Sequence, residues 1–232
     1  MIDNNKHRYY LVQILKDIYS DRELANSLGF KGGTALMFFY DLPRFSVDLD
    51  FNLLDNEQKD LVYDKIKKIM LKYGTMHDEA TKFYGSILVL NYGSGQSKLK
   101  VEFSNRDYGD LYESKNFMGI EVKMMKISNM FSHKLCALLD RKTVAARDIF
   151  DNWFFMSKQT PVIQSIIESR MQMPYTDYLQ NCIEMLETLP QKNFLDGLGD
   201  LLEREMKSFV RNKLRTEFLT LLHFYKEFPI IQ

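Results

Sequence analysis

The amino-acid sequence predicts an α+β protein in which a mixed strand-and-helix part precedes a helical part, with the division near residue 127. Three observations carry this. Every stretch with the two-residue alternation of a strand lies before Lys126, and beyond Ser128 apolar residues recur at helical spacing. Pro161, Pro174 and Pro190 punctuate that second part as helix boundaries. The chain is 45% apolar with 11 Gly and 5 Pro among 232 residues, a composition that builds a packed core and not a disordered chain.

Taken in order, Tyr9 to Leu28 reads as one amphipathic helix, with Leu11, Ile14, Ile18 and Leu24 on its apolar face. Phe30-Lys31 is a short strand end running into the turn Gly32-Gly33. Thr34 to Tyr40 starts a helix that Pro43 ends. Asp48 to Phe51 is a strand, and Asn56 to Tyr73 a helix built on Leu61, Ile66, Ile69 and Met70. Three strand-like stretches follow, Phe83 to Tyr92, Lys98 to Ser104 and Gly119 to Met125. The second sets Leu99, Val101 and Phe103 against Lys98, Lys100, Glu102 and Ser104, as a half-buried strand does. Helical patterns then cover Asn129 to Asp140, Thr143 to Ser157, Val162 to Met171, Tyr175 to Leu189 and Leu195 to Lys226, a C-terminal helical bundle. Trp153, Phe154 and Phe155 belong to its core.

Basic and acidic residues balance at 31 each, so net charge selects no partner, although a local basic patch remains compatible with neutrality. Cys136 and Cys182 lie far apart among apolar neighbours and read as buried thiols in a reducing compartment. His7, His77, His133 and His223 are scattered, without zinc-site spacing. Met1-Ile2-Asp3-Asn4-Asn5 carries no apolar signal region, and no apolar run is long enough to span a bilayer. A cytoplasmic protein without a membrane segment is the expectation.

The chemistry concentrates between Lys31 and Phe51. Two glycines at a strand-to-helix turn let backbone N–H groups approach an anion, and the helix start at Thr34 adds unpaired donors and a positive dipole end. By itself such a pair is also an ordinary tight turn. Asp48 and Asp50, two apart on a strand, share a face while Leu49 and Phe51 point to the core. Adjacent carboxylates repel unless a cation lies between them, and hard oxygen ligands suit Mg²⁺ or Mn²⁺. Glu102, on the polar face of its strand, is the candidate third ligand of a two-metal site, against the alternative of an exposed residue on a wet face. Asp107 and Asp110 lie just beyond it.

Lys31-Gly32-Gly33-Thr34-Ala35-Leu36, followed by Arg44-Phe45-Ser46-Val47-Asp48-Leu49-Asp50-Phe51, resembles the first motif of AbiEii/AbiGii-type nucleotidyltransferase toxins, within the DNA polymerase β-like superfamily. Lys134 to Arg141, then Ala146-Arg147-Asp148-Ile149-Phe150-Asp151, resembles the helical motif of the same family. The resemblance implies a polymerase β-like nucleotidyltransferase core over 1–127 and a helical domain over 128–232 that completes the active site. It implies metal binding by Asp48 and Asp50, with Glu102 standing where an aspartate is usual. It implies triphosphate binding by Gly32, Gly33, Thr34, Arg44, Ser46 and Lys134, and a catalytic role for Asp148. It implies a nucleoside triphosphate substrate, an RNA acceptor such as the 3′ end of tRNA whose modification blocks translation, and a cognate antitoxin.

Each of these residues has a plainer structural alternative. Lys134, Arg141 and Asp148 fall seven apart and would align on one continuous helix, unless Thr143 caps a new one. Arg147 and Asp148 could form an ion pair, Arg44 could pair with Asp41, and Ser46 could orient Asp48 or finish a turn. Arg204, Lys207, Arg211 and Arg215 form a basic stripe on the last predicted helix that could follow a nucleic-acid backbone, or could be a solvated face paired with Glu203, Glu205 and Glu217. Two other functions keep parts of this pattern. A transferase modifying a small molecule or a protein would need a different acceptor pocket, and a catalytically silent binding module would show no metal dependence.

Overall fold

The computed structural model describes residues 3–93 and 98–232; Met1 and Ile2, at the start of the stretch inspected for a signal region, lie outside them. The chain separates into two compact units. One comprises Met1–Asp41 with Phe45–Lys126, the other Leu42–Arg44 with Ile127–Gln232.

The first unit is a seven-stranded mixed sheet with helices. Its elements are α1 (Asn4–Ser20), α2 (Arg22–Ser27), β1 (Leu28–Lys31), α3 (Gly32–Phe39), β2 (Asp48–Leu53), α4 (Lys59–Leu71), β3 (Thr75–Lys82), β4 (Gly85–Asn91), β5 (Lys98–Ser104), β6 (Tyr112–Phe117) and β7 (Ile120–Met125). The strand order is β3-β4-β5-β2-β1-β7-β6. The β2–β5 and β1–β7 pairs are parallel and the others antiparallel. Leu49, Phe51, Leu99, Val101 and Phe103 are fully buried, so β2 and β5 bury the face that their alternation predicts.

Three differences from the sequence expectation have local causes. The first predicted helix is two, because Asp21 accepts hydrogen bonds from the backbone N–H groups of Glu23 and Leu24 and so caps a new helix. In place of one helix over Asn56 to Tyr73, a 3₁₀ turn at Asn56–Gln58 precedes α4. Strands β3 and β6 are additional to those the alternation predicts. Both are sheet edges, rich in charged and polar residues and largely solvent-facing, and edge strands avoid the apolar pattern that would identify them.

The second unit is helical: α5 (Ile127–Asp140), α6 (Ala146–Ser157), α7 (Gln164–Met171), α8 (Tyr175–Thr188), α9 (Arg204–Asn212) and α10 (Leu214–Glu227). An isolated bridge joins Val162 to Ile231. The long helix expected over Leu195 to Lys226 is instead a 3₁₀ turn at Gly199–Leu201 followed by α9 and α10, with Lys213 as the non-helical joint. Phe154 and Phe155 are buried in this unit's core, while Trp153 is half-buried and donates to Glu217 at 3.1 Å. Cys136 and Cys182 are both buried and free. Among the described residues, no helix is long and apolar enough to cross a membrane.

Candidate active site

The polar face of β2 carries Asp48 and Asp50, and its neighbours determine what stands beside them. On β5, Lys100 is in register with Asp48 and Glu102 with Asp50; on β1, Lys31 is in register with Asp50. Registered partners share a sheet face, so Lys31, Asp50 and Glu102 form one row across three strands, with Asp48 and Lys100 in the next.

The charges on this face are arranged around a lysine. The Lys100 ammonium lies 2.9 Å from Glu102 Oε2 and 3.4 Å from Asp48 Oδ2. Burial pushes the Asp50 carboxyl above the usual carboxylate range; Lys100 opposes this, and Asp48 and Glu102 add to it. Burial alone would lower Lys100, but the surrounding carboxylates hold it above its ordinary value. The face is therefore built to keep a cation. Among the described residues, no three acidic, histidine or cysteine side chains form a ready metal cage. Of the three expected carboxylates, Asp50 and Glu102 are in register and Asp48 stands in the next row, but the Glu102 carboxylate is engaged by Lys100. Asp48 and Asp50 still fit a divalent cation by donor chemistry, since their hard oxygens share one face and burial makes a negative charge on Asp50 costly.

The glycine turn lies directly against this face. Gly32 has φ +83°, and a Cβ placed on it would stand 2.6 Å from Asp50 Oδ2. Only glycine satisfies both the left-handed backbone and that approach. Gly32 and Gly33 begin α3, whose capping residue Lys31 makes no side-chain bond to the first N–H groups, and whose first turn contains no acid. That helix start suits an anion beside the carboxylates. Thr34 is buried, and its Oγ1 donates to the Asp48 carbonyl at 2.5 Å.

His7 joins this site without any sign of it in the sequence. It is fully buried, and its Nε2 lies 2.9 Å from the Val47 carbonyl. A carbonyl only accepts, so Nε2 carries the proton and Nδ1 accepts from the Tyr92 hydroxyl at 2.5 Å. Burial lowers the imidazole's pKa, which keeps this neutral tautomer. His7 and Thr34 together pin the carbonyls of Val47 and Asp48, the backbone that aims the first aspartate. A lone histidine 40 residues away in sequence carries no signal of that contact.

The helical unit holds a second cluster. Asp151 is fully buried and accepts from Arg44 Nε at 2.6 Å and Nη2 at 2.8 Å, and Lys134 Nζ lies 2.9 Å from its Oδ2. Lys134 also donates to Asp148 Oδ1 at 2.9 Å, and Arg141 Nε lies 3.0 Å from Asp148 Oδ2. Burial would raise the Asp151 carboxyl, but Arg44 and Lys134 bring it down to about 2. Burial would likewise lower Lys134, and its two carboxylates hold it above its ordinary value. Three cations face two carboxylates, so the cluster as a group retains one positive charge.

This cluster revises several expectations. Lys134, Arg141 and Asp148 do not share one helix, because α5 ends at Asp140 and α6 begins at Ala146 with Ala145, not Thr143, at its cap. They meet because the chain turns back on itself. Arg44 pairs with Asp151, which accepts from its buried guanidinium. Asp151, which has no role in the sequence reading beyond closing the helical motif, is the hub. Ser46 is buried in the loop before β2. The basic stripe is not continuous: Arg204, Lys207 and Arg211 lie on α9, whereas Arg215 lies on α10. The Arg215 guanidinium donates to the carbonyls of Leu186, Glu187 and Leu189 and sits over Phe194, so it closes the end of α8.

The family model described as nucleotidyl transferase AbiEii toxin, type IV TA system, matches residues 13–223. The chain is similar in fold to the crystal structure of a candidate nucleotidyltransferase from H. pylori, with a TM-score of 0.65, 18% identity, and 99% of this chain and 97% of that one covered. It is equally similar to JHP933 from Helicobacter pylori, with a TM-score of 0.64, 19% identity, and 99% and 94% covered. No match is found among curated proteins.

Proposed function

Because the chain belongs to the AbiEii family of nucleotidyl transferase toxins, we propose that this nucleotidyltransferase is the toxin of a toxin–antitoxin pair and transfers a nucleoside monophosphate from a nucleoside triphosphate to an RNA, with the tRNA 3′ end as acceptor and translation as the process blocked. The observation that carries this reading is the Gly32 turn lying against Asp50, which sets an anion-binding helix start beside two cation-seeking carboxylates.

Asp48 and Asp50 would hold a divalent cation, Mg²⁺ or Mn²⁺, which supplies charge neutralisation for the triphosphate and the leaving group. The backbone of Gly32, Gly33 and Thr34 binds the β- and γ-phosphates. Glu102 takes the proton of the attacking hydroxyl once Lys100 releases it. The hydroxyl oxygen bonds to the α-phosphorus, the bond to the α–β bridging oxygen breaks, and pyrophosphate leaves. His7 and Thr34 keep Asp48 aimed. The family motif implies roles for Lys134 and Asp148 in the same reaction, Lys134 as a charge that neutralises the triphosphate and Asp148 as a catalytic carboxylate. Arg44 and Asp151 act through Lys134 as positioning residues. Positioning and charge stabilisation supply most of the rate in such a transfer. The antitoxin is the protein partner that the family implies.

The test incubates the full chain with Mg²⁺, total tRNA and each α-³²P nucleoside triphosphate in turn, beside Asp48→Asn. Label in RNA from the parent alone supports the reading and names the nucleotide. Label in a protein or small molecule moves the acceptor assignment. No label anywhere, with growth still arrested by both the parent and Asp48→Asn, replaces the transferase by a binding role.

A further inference from the structure

The polar sheet face that carries Asp50 continues beyond Glu102 into a cleft of about 350 Å³, lined by Glu102, Ser104 and Arg106 on one side and by Lys82, Phe83 and Tyr84 on the other. Phe83 and Tyr84 form the tip of the β3–β4 hairpin. Phe83 is 83% exposed and Tyr84 52%, and the two rings meet edge to face with centroids 4.7 Å apart. Folding does not require two aromatics in water at a hairpin tip, where the turn chemistry favours small polar residues. The Arg106 guanidinium lies 4.5 Å from the centroid of the Tyr84 ring, stacking a cation on the same platform. Lys59 Nζ donates to the Lys82 carbonyl and brings a further positive charge beside the hairpin tip. Gly85 lets this hairpin close on β5, since a Cβ there would stand 2.0 Å from the Phe103 carbonyl oxygen. Asp107, next to Arg106, is exposed and is the acid nearest in sequence.

Exposed rings beside a loose set of cations are what an unpaired polynucleotide binds, with bases stacked on the rings and phosphates near the charges. Glu102 links the cleft to chemistry, because a hydroxyl held at this end of the cleft stands beside the carboxylate proposed to take its proton.

We propose that the Phe83–Tyr84 hairpin and Arg106 form the acceptor subsite, stacking the unpaired 3′-terminal nucleotides of an RNA so that its terminal hydroxyl is presented at Glu102. This rests on the transferase reading and specifies where its acceptor binds.

The experiment uses the full chain in an Asp48→Asn background, so that binding is measured without turnover. The probe is a single-stranded RNA octamer ending in CCA, with 2-aminopurine as the terminal base, and binding and base stacking are followed by fluorescence. Phe83→Ala and Tyr84→Ala should each raise Kd by about fivefold or more and restore 2-aminopurine emission. Arg106→Ala should weaken binding and reduce the slope of log K against log salt by about 0.7. Binding of nucleoside triphosphate should stay unchanged in all three. Because Phe83 and Tyr84 are exposed, the variants should keep the parent's circular dichroism.

Parent-like RNA affinity in the variants overturns the proposal, as does equal loss of nucleotide and RNA binding. A DNA octamer that binds as tightly and responds equally to the variants overturns the assignment to RNA. Loss of an antitoxin complex in Phe83→Ala, with RNA binding intact, reassigns the patch to a protein. A parent that binds no RNA yet still transfers label to another acceptor refutes this subsite and leaves the transferase standing.

Discussion

Replacing Asp151 with Asn tests the helical cluster most directly. The substitution keeps the shape and removes one charge from a fully buried position, where Arg44 and Lys134 converge at 2.6 to 2.9 Å. Two routes give the magnitude. The carboxyl is held at about 2 against an ordinary 3.8, a difference corresponding to about 2 kcal/mol of native stabilisation at neutral pH. Breaking a buried pair by removing one partner costs about 3–5 kcal/mol, because the buried Arg44 loses the carboxylate that faces it. The expected loss is therefore about 2–5 kcal/mol, a large part of the ~5–15 kcal/mol that holds a domain. Urea unfolding of the full chain, followed by far-UV circular dichroism, measures it. The double variant Arg44→Met/Asp151→Leu should recover much of the loss, since an apolar pair of similar volume often replaces a buried ion pair without penalty. A loss below about 1 kcal/mol in Asp151→Asn, or a double variant as unstable as the single one, would refute the account of Asp151 as a buried hub.

Other consequences follow from the same geometry. Asp48→Asn or Asp50→Asn should lower nucleotide transfer by at least about 100-fold while leaving the unfolding midpoint near the parent's, because the lost interaction is made mainly in the transition state. Gly32→Ala should abolish transfer, since its methyl would meet the Asp50 carboxylate on a left-handed backbone; an active, normally folded Gly32→Ala would contradict that. The folded pKa of His7 lies below its ordinary 6.5, so protonation favours the unfolded state. Stability should fall as pH drops through 6.5 toward that lowered value, and this slope should vanish in His7→Asn. The Asp151 contribution behaves as a depressed acid: it is complete above 3.8 and lost as pH falls from there toward about 2, which acid titration of the fold would register.

Local chemistry makes several features legible in the sequence. The alternation of Leu99, Val101 and Phe103 with polar residues defines β5 with the bounds found, and the spacing of Asp48 and Asp50 places both carboxylates on one face. Period-two burial is a property of the backbone, so it can be read without knowing the partner strand. The motif resemblance identifies the family that the match over residues 13–223 shows. What sits beside those acids is not legible, because strand register and helix contacts join residues far apart in the chain. Lys100 lies between Asp48 and Glu102 only because β2 and β5 pair in that register, and His7 reaches Val47 only because α1 packs near β2. Asp151 becomes a hub only where α5, α6 and the Leu42–Arg44 segment close around it. The basic stripe shows the converse: its spacing assumes an unbroken helix, and the joint at Lys213 removes it. The sequence by itself determined which side chains could share a strand face and which turn needed glycine, since sterics and periodicity act over a few residues. Only the tertiary structure decided which charges neutralise one another, since Coulomb partners are chosen by distance in space.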